Sequence, residues 1–274
     1  MTTATDYILG THDEEIARLG VQHRAWRPSA LAAWKTAGIA SGQVVLDVGC
    51  GPGYATLDLA ELTGPSGKVL AVDKSEKFLN ALDAQCRTRR IQNITTHRAD
   101  LDMYEFAGVN ADAAWCRWVF AFVTRPKDLL ARLTKALRPG GVIVVHEYFH
   151  YATWQTIPSC PELEEFVRAV MTSWRHAGGE PDIGLSLPPW FEEMGFEVRS
   201  TQPILEIVQK DHPKWGWMRA FADVGRQRLV DLGFLTAARA DAIWQAFQKI
   251  ETAPRSRMIS PAVLEIVAQK CGPA

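Results

Sequence analysis

Strand-like and helical patterns alternate through the middle of the chain. Val44–Val48 is a short apolar, β-branched run, which is typical of a strand buried on both faces of a parallel sheet. Residues 54–62 follow with helical spacing, and the alternation of a strand-like run with a helical run is then repeated. The strand-like runs lie near residues 44–48, 69–73, 94–98, 112–116 and 142–147. This order predicts an α/β fold with a mostly parallel sheet and helices on both faces.

Two helices are predicted before the first strand. Residues 11–14 have capping-box spacing, which marks the start of a helix. A second helix covers about residues 29–37 and stops at Gly38. We therefore expect residues 1–40 to form a helical segment ahead of a core at residues 41–147.

A long insertion follows the fifth strand, at residues 148–188, where α/β folds usually have short connections. Ser159–Glu162 has capping-box spacing, with proline in the first turn. Apolar side chains then recur at helical intervals, at Leu163, Phe166, Val167, Val170, Met171 and Trp174. This spacing predicts one amphipathic helix within the insertion.

The last part of the chain, residues 189–274, is expected to complete a single domain that spans residues 1–274. Its helical and strand-like patterns are shorter and less regular than those of the core. Helices are predicted near residues 188–194, 213–232 and 236–251, and strands near residues 196–207 and 263–269.

The junction between the first strand and its helix carries the most specific local signal. Gly49, Gly51 and Gly53 stand in this turn, where glycine lets the backbone bend sharply and approach a ligand. The pattern predicts a cofactor site, although the glycines could also serve only a tight turn. A nicotinamide or flavin site would need glycine at the sixth position from Gly49. Tyr54 stands there, which argues against a redox dinucleotide.

Three carboxylates follow three successive strands. Asp47 closes the first strand, Asp73 closes the second, and Asp100 follows the third. The carboxyl ends of parallel strands share one edge of the sheet, and ligands bind there in open α/β folds. Asp73 could instead be the N-cap of the next helix, a role that Ser75 fills equally well, and Asp100 could be a plain loop acid.

Composition excludes several classes of partner. A formal net charge of −1 and the lack of a basic run argue against a nucleic-acid partner. No apolar stretch is long enough to span a membrane, and no signal-peptide core is present. The five cysteines are scattered and lack CxxC spacing, so neither disulfides nor a zinc site is expected. We expect a cytoplasmic protein without a metal or a membrane partner.

With these motifs in this order, the chain resembles the class I S-adenosylmethionine-dependent methyltransferases. An N-terminal stretch, Asp6–Gly10 with Arg18, Leu19 and Gln22, is also similar to bacterial ubiquinone/menaquinone-biosynthesis C-methyltransferases. The resemblance implies a Rossmann-like, seven-stranded sheet in the order 3-2-1-4-5-7-6 with the last strand antiparallel. The segments that carry it are VLDVGCGPG at 45–53, VLAVDKS at 69–75, ADL at 99–101 and LRPGGVIVV at 137–145.

The resemblance implies S-adenosylmethionine as cofactor and S-adenosylhomocysteine as product. The glycine loop would wrap the amino-acid part, Asp73 would bind the ribose hydroxyls, and Asp100 would meet the adenine amino group beside Leu101. The N-terminal helix would lie over the cofactor as a lid. As alternatives, Gln22 would be a solvated helix residue and Arg117 a surface ion pair. The predicted cofactor contacts are Tyr7, Gln22, Asp47, Gly49, Gly51, Gly53, Asp73, Lys74, Asp100, Leu101 and Arg117.

The candidate acid–base residues follow the fifth strand, near where the methyl group should point. A sulfonium methyl is already activated, so such an enzyme mainly holds a nucleophile in line within a water-poor pocket. His146 and His150 are candidate general bases, with structural hydrogen bonding as the alternative. Glu147 could reach the cofactor or the substrate. Alternation puts His146 and Tyr148 on one face of the strand and Glu147 on the other.

The chain has ten tryptophans, a high number for 274 residues, and this aromatic content indicates what kind of methyl acceptor it binds. Aromatic walls suit a flat or apolar small molecule and can also flank a cation. The insertion at residues 148–188 is predicted to cap the substrate; alternatively, its helix thickens the core or forms a homodimer contact. The predicted substrate contacts are Trp118, Phe122, Tyr148, Trp154 and Trp174.

Together these features predict methyl transfer to a small, aromatic or polyketide-like acceptor at oxygen or carbon, with nitrogen as a further option. Three alternatives stay open at this point. The bound sulfonium could support a cyclisation or decarboxylation, the chain could be a non-catalytic cofactor-binding protein, or it could be a nicotinamide oxidoreductase.

Overall fold

The computed structural model describes residues 13–272, and both predicted patterns recur in it as strands and helices. Tyr7 and the first half of the predicted N-terminal capping box, residues 11–12, lie outside the described residues. The strands are β1 (Val44–Val48), β2 (Lys68–Asp73), β3 (Ile94–Arg98), β4 (Ala111–Arg117), β5 (Leu137–His150), β6 (Gln155–Ile157), β7 (Phe196–Ile204), β8 (Ile207–Val208), β9 (Arg257–Ile259) and β10 (Ala262–Lys270).

Helices connect these strands and flank the sheet. They are α1 (Asp13–Thr36), α2 (Tyr54–Thr63), α3 (Glu76–Arg89), α4 (Pro126–Ala136), α5 (Pro161–His176), α6 (Leu187–Glu193), α7 (Pro213–Asp231) and α8 (Ala237–Thr252). Within residues 13–272, no helix combines the length and the hydropathy that a membrane span requires.

The main sheet has seven strands in the order β3-β2-β1-β4-β5-β10-β7. β1 to β5 are parallel, and β10 runs antiparallel between β5 and β7. Counted along this sheet alone, β7 and β10 are the sixth and seventh strands. The predicted order 3-2-1-4-5-7-6 is therefore confirmed.

The alternation of side chains along β1 explains why helices cover both faces of the sheet. Val45 packs in one apolar cluster with α1 and α2. Leu46 and Val48 point to the other face, where they join a cluster that includes Leu129 and Leu133 of α4. Four of the five β1 residues are buried, as expected for an inner parallel strand.

The N-terminal region differs from the prediction of two helices. α1 is continuous from Asp13 to Thr36 and contains Pro28 inside it. Proline removes one backbone hydrogen bond from a helix, yet Trp26 and Trp34 on either side of it are fully buried. Trp34 meets Trp115 of β4 edge to face at 5.2 Å. Burial of these two indoles explains why the helix continues through a residue that usually ends one.

Two further boundaries were predicted wrongly. The strand expected at residues 196–207 ends at Ile204, and Ile207 belongs instead to a small three-stranded sheet in the order β6-β9-β8. The N-cap of α5 is Cys160 rather than Ser159, whose hydroxyl donates to the Glu164 carboxylate at 2.9 Å. The apolar stripe of α5 is confirmed, because Leu163, Phe166, Val167, Val170 and Trp174 are buried.

Pro28 gives a direct test of how α1 is stabilised. Pro28→Ala restores a helical N–H donor at an exposed position, so it should raise the free energy of unfolding by about 1–3 kcal/mol. Urea denaturation followed by circular dichroism measures this change. Pro161→Ala is the matched control, since Pro161 is exposed in the first turn of α5, where proline costs little. An unchanged or lower stability of Pro28→Ala would contradict a continuous helix.

Candidate active site

A large open cavity lies at the carboxyl ends of the parallel strands. Its volume, counted with the open solvent at its mouth, is about 1220 Å³, which is on the scale of a ligand-binding cleft. The lining residues among those predicted as cofactor contacts are Gln22, Asp47, Gly49, Gly51, Asp73, Lys74, Asp100, Leu101 and Arg117. Those predicted as substrate contacts are Trp118, Phe122, Tyr148 and Trp174.

The glycine loop between β1 and α2 requires glycine for two different reasons. Gly49, Gly51 and Gly53 all have positive φ, at 69°, 55° and 82°. A Cβ on Gly49 would lie 2.5 Å from Val119 Cγ2, across the cavity wall. A Cβ on Gly53 would lie 2.3 Å from Leu82 of α3. Gly49 and Gly51 line the cavity, whereas Gly53 is the N-cap of α2 and serves its packing.

Asp73 connects two loops while it lines the cavity. Its Oδ2 accepts a hydrogen bond from Gly51 N at 2.9 Å, and its Oδ1 accepts one from Ser75 N at 2.8 Å. Burial raises the pKa of Asp73, against the effect of these bonds. Ser75 is the N-cap of α3, since its hydroxyl accepts from Phe78 N. The alternative of Asp73 as the N-cap is therefore wrong.

Asp47 lies beneath the glycine loop. It is only 2% exposed and its Oδ2 accepts a hydrogen bond from Thr56 Oγ1 at 2.6 Å. Desolvation raises the pKa of Asp47 to about 6, while Thr56 and the charge of Arg117 act to lower it. A cation bound beside Asp47 would lower this pKa and so favour the charged carboxylate.

Arg117, at the end of β4, is not the surface ion pair that was the alternative. Its Nη2 lies 3.2 Å from His23 Nδ1, and the guanidinium is 5.4 Å from the Trp118 ring. Because a guanidinium only donates, Nδ1 accepts, which leaves Nε2–H to donate to Asp58 Oδ2 at 2.9 Å. Desolvation lowers the pKa of Arg117 to about 10 and also lowers that of His23.

Gln22 of α1 is engaged in bonding rather than solvated. Its Oε1 accepts from Arg18 Nη1 at 3.0 Å and from Trp217 Nε1 of α7 at 3.1 Å. Arg18 is 4% exposed and forms a two-bond pair with the Glu15 carboxylate, at 2.7 Å for each bond. These contacts connect α1 to α7 along one wall of the cavity.

The far end of the cavity is aromatic. The Trp118 ring is nearly parallel to those of Tyr148, at 5.2 Å, and Trp217, at 5.5 Å. Phe122 meets Trp174 edge to face at 4.6 Å. The stripe residue Trp174 thus brings α5, and with it the predicted insertion, to this end of the cavity.

The three residues predicted as catalytic lie away from the cavity lining. His146 is fully buried, and its Nε2 lies 2.9 Å from Glu265 Oε2 on β10. Glu147 is also fully buried and accepts backbone hydrogen bonds, while His150 is exposed at the end of β5. Of the β5 residues at positions 146–148, only Tyr148 lines the cavity, although it was placed on the same face of the strand as His146. We therefore assign no proton transfer to His146, Glu147 or His150.

Trp154, predicted as a substrate contact, also lies outside the lining. It is 1% exposed and packs in the apolar cluster of α5 and α7, with its Nε1 3.2 Å from Met258 Sδ. The prediction for Trp154 relied on its aromatic ring and its place in the insertion, and these two features do not determine whether a residue lines the cavity.

Several lining residues escaped prediction. His23 lies one helical turn after Leu19, a lining residue on α1, and this spacing could have revealed it. Phe78, in the first turn of α3, and Asp102, just after Leu101, are near predicted residues and could also have been found. Phe221 had no such signal, because α7 is remote in sequence from every motif. In the described part of the chain, no group of His, Cys, Asp or Glu side chains could hold a metal ion.

Comparison with known proteins agrees with this geometry. A family model described as a methyltransferase domain matches residues 45–141. Demethylmenaquinone methyltransferase of Lactococcus lactis subsp. lactis is 30% identical over 129 residues, which cover 47% of this chain and 50% of that protein. The chain spans about half the length of the curated relatives it matches.

Solved structures share the fold at low sequence identity. Phosphoethanolamine N-methyltransferase 2 of Haemonchus contortus, solved with S-adenosylhomocysteine, has a TM-score of 0.56 and 17% identity over 93% of this chain and 57% of that one. The [4+2]-cyclase SpnF has a TM-score of 0.55 and 19% identity over 90% and 82%. These structures and the sheet order show a Rossmann-like methyltransferase fold, and the matched domain at residues 45–141 supports a class I S-adenosylmethionine-dependent methyltransferase.

Proposed function

We propose that this protein transfers a methyl group from S-adenosylmethionine to a small aromatic or apolar acceptor, at oxygen or carbon. The observation that carries the proposal is a single cavity with two chemically different ends. One end has glycine backbone and carboxylates, and the other has aromatic rings. Such a cavity suits a polar cofactor that meets an apolar partner at the middle.

The polar end fits the cofactor in the chemistry of its donors and acceptors. The carboxylates of Asp73 and Asp100 can accept hydrogen bonds from hydroxyl and amino groups, and Leu101 and Phe78 offer apolar contact to a base. Beside Gly51, where a Cβ would meet only Leu19 Cδ1 at 3.9 Å, the loop backbone is open for a ligand to approach. When bound, S-adenosylmethionine supplies a methyl group that its sulfonium has already activated.

Asp47 and Arg117 give the cavity lining two opposite charges. Both line the cavity, and the charge of Arg117 favours the ionised form of Asp47. An amino-acid moiety carries an ammonium and a carboxylate, so this pair suits the methionine part of the cofactor. Desolvation has raised the pKa of Asp47, and a bound ammonium would lower it again.

The aromatic end excludes water and offers contact to a flat acceptor. Low polarity favours a reaction in which a sulfonium and an anionic nucleophile neutralise each other. Both ring nitrogens of His23 are already engaged, by Arg117 and by Asp58, so His23 is poorly suited to take a proton. We therefore favour an acceptor with an acidic hydroxyl or an electron-rich carbon, a class that includes the substrates named for the quinone methyltransferase relatives.

A second use of the same site is a cyclisation or decarboxylation beside the bound cofactor. Its support is the aromatic end itself, which would enclose a reacting molecule without acid–base groups, and the fold shared with a [4+2]-cyclase. The cytoplasmic location and the homodimer contact stay predictions.

The acceptor class is tested with methyl-labelled S-adenosylmethionine and a panel of phenols, quinols, enols and amines. We expect label in the organic extract and release of S-adenosylhomocysteine. Phe122→Ala should lower this transfer more than about tenfold, through lost contact and orientation, while S-adenosylhomocysteine affinity stays unchanged. Trp154→Phe, outside the cavity, is the control. Label found only in peptide, protein or RNA would refute the acceptor class, and product without label would favour cyclisation.

Asp73 tests the polar end. Asp73→Ala should weaken S-adenosylhomocysteine binding about 5- to 150-fold, or about 1–3 kcal/mol, because charge-assisted hydrogen bonds are lost. Isothermal titration calorimetry measures the affinity, and Asp231→Ala, at the exposed end of α7, is the control. An affinity within twofold of the wild type for Asp73→Ala is incompatible with this role.

Asp47 gives the site a pH dependence with a definite sign. Its pKa of about 6 means that the carboxyl group is neutral at pH 5 and charged at pH 7. A ligand ammonium prefers the charged form, so S-adenosylhomocysteine affinity should rise about tenfold from pH 5 to pH 7. Calorimetry across this range should show a much flatter profile for Asp47→Asn. Equal slopes in the two proteins would exclude Asp47 as the titrating group.

A further inference from the structure

Glu147 is a buried carboxyl group for which the proposed reaction has no direct use. It is fully buried in β5, and one oxygen, Oε1, accepts hydrogen bonds from Val119 N at 2.6 Å and Phe120 N at 2.7 Å. Oε2 has no hydrogen-bond partner among residues 13–272. Burial raises the pKa of Glu147 to about 8. An apolar side chain at this position would avoid the free-energy cost of burying a carboxyl group. The carboxyl group is therefore useful here only if the two amides need it as an acceptor.

The residue just before these amides has a strained backbone. Trp118 has φ of 52°, in the left-handed region that bulky side chains rarely adopt. Its own N–H donates to His146 O at 3.0 Å. Residues 146 and 147 of β5 therefore hold three successive amides of the β4–α4 loop, 118 to 120. Strain of this kind persists only where the surroundings impose it.

The loop that Glu147 holds forms a wall shared by both ends of the cavity. On the polar side, Val119 Cγ2 lies where a Cβ on Gly49 would need to be. On the aromatic side, Trp118 stacks on Tyr148, and Phe122 packs against Trp174. A shift of the amides would therefore move groups at both ends together.

We propose that Glu147 is a positioning residue, which fixes the loop at residues 118–122 by accepting hydrogen bonds from the Val119 and Phe120 amides and so keeps the two ends of the cavity in a fixed relative position. The proposal rests on the proposed function for the identity of the ligands. It depends on the reach of the side chain to the amides and not on its charge. Glutamine has the same reach and keeps an oxygen acceptor, whereas aspartate keeps the carboxylate but is one methylene shorter.

Two conservative variants separate reach from charge. We expect Glu147→Asp to lose more than half of the near-ultraviolet circular dichroism from the stacked rings and to bind S-adenosylhomocysteine about tenfold more weakly. Glu147→Gln should keep most of the circular dichroism signal and an S-adenosylhomocysteine affinity within about threefold of the wild type. Val145→Ala, a cavity-forming change on the same face of β5, controls for loss of stability and should leave both unchanged.

The opposite pattern overturns the proposal. A normal Glu147→Asp beside a defective Glu147→Gln would show that charge matters, and an equal defect in Val145→Ala would show a general loss of packing. If the wild type itself fails to bind S-adenosylhomocysteine, the proposed function is wrong. The circular dichroism comparison then still decides whether Glu147 positions the loop.

Discussion

Hydrogen bonds from loop amides to carboxylates at the strand ends shape the cavity edge of this sheet. Asp73 accepts from Gly51 N and Ser75 N, Asp102 accepts from Thr124 N and Arg125 N, and Glu147 accepts from Val119 N and Phe120 N. Parallel strands end at one edge, where their loops leave amides unpaired, and each unpaired amide near the core is costly. A carboxylate accepts from two amides at once and fixes the shape of a loop that sheet bonding no longer controls.

The acids at this edge divide into those that face the cavity and one that does not. Asp73 and Asp102 hold loops and also line the cavity, so a ligand would compete with loop amides for their oxygens. Glu147 holds its loop from inside the core, out of reach of any ligand. Asp73 and Glu147 were both predicted from the sequence as possible ligand contacts, yet only Asp73 lines the cavity.

The aromatic end depends on helices that are far apart in the chain. α5 contributes Trp174 and α7 contributes Phe221 to the lining, while Trp217 of α7 stacks on Trp118 behind it. The bond from Trp217 to Gln22 joins the first helix to the seventh, so the wall of the cavity exists only when both are packed. Substitutions in α7 would therefore alter the aromatic end without touching a recognisable motif.

The parallel core, the glycine turn and most residues of the polar end could be predicted from the amino-acid sequence. These are local: β-branched runs, glycines with positive φ, and acids at strand ends act within a few residues of one another. Long-range packing, by contrast, places His146 against Glu265, lets Glu147 hold a loop, and carries α1 through Pro28. In each of these, the deciding partner is an element distant in sequence, and its contact energy outweighs the local preference.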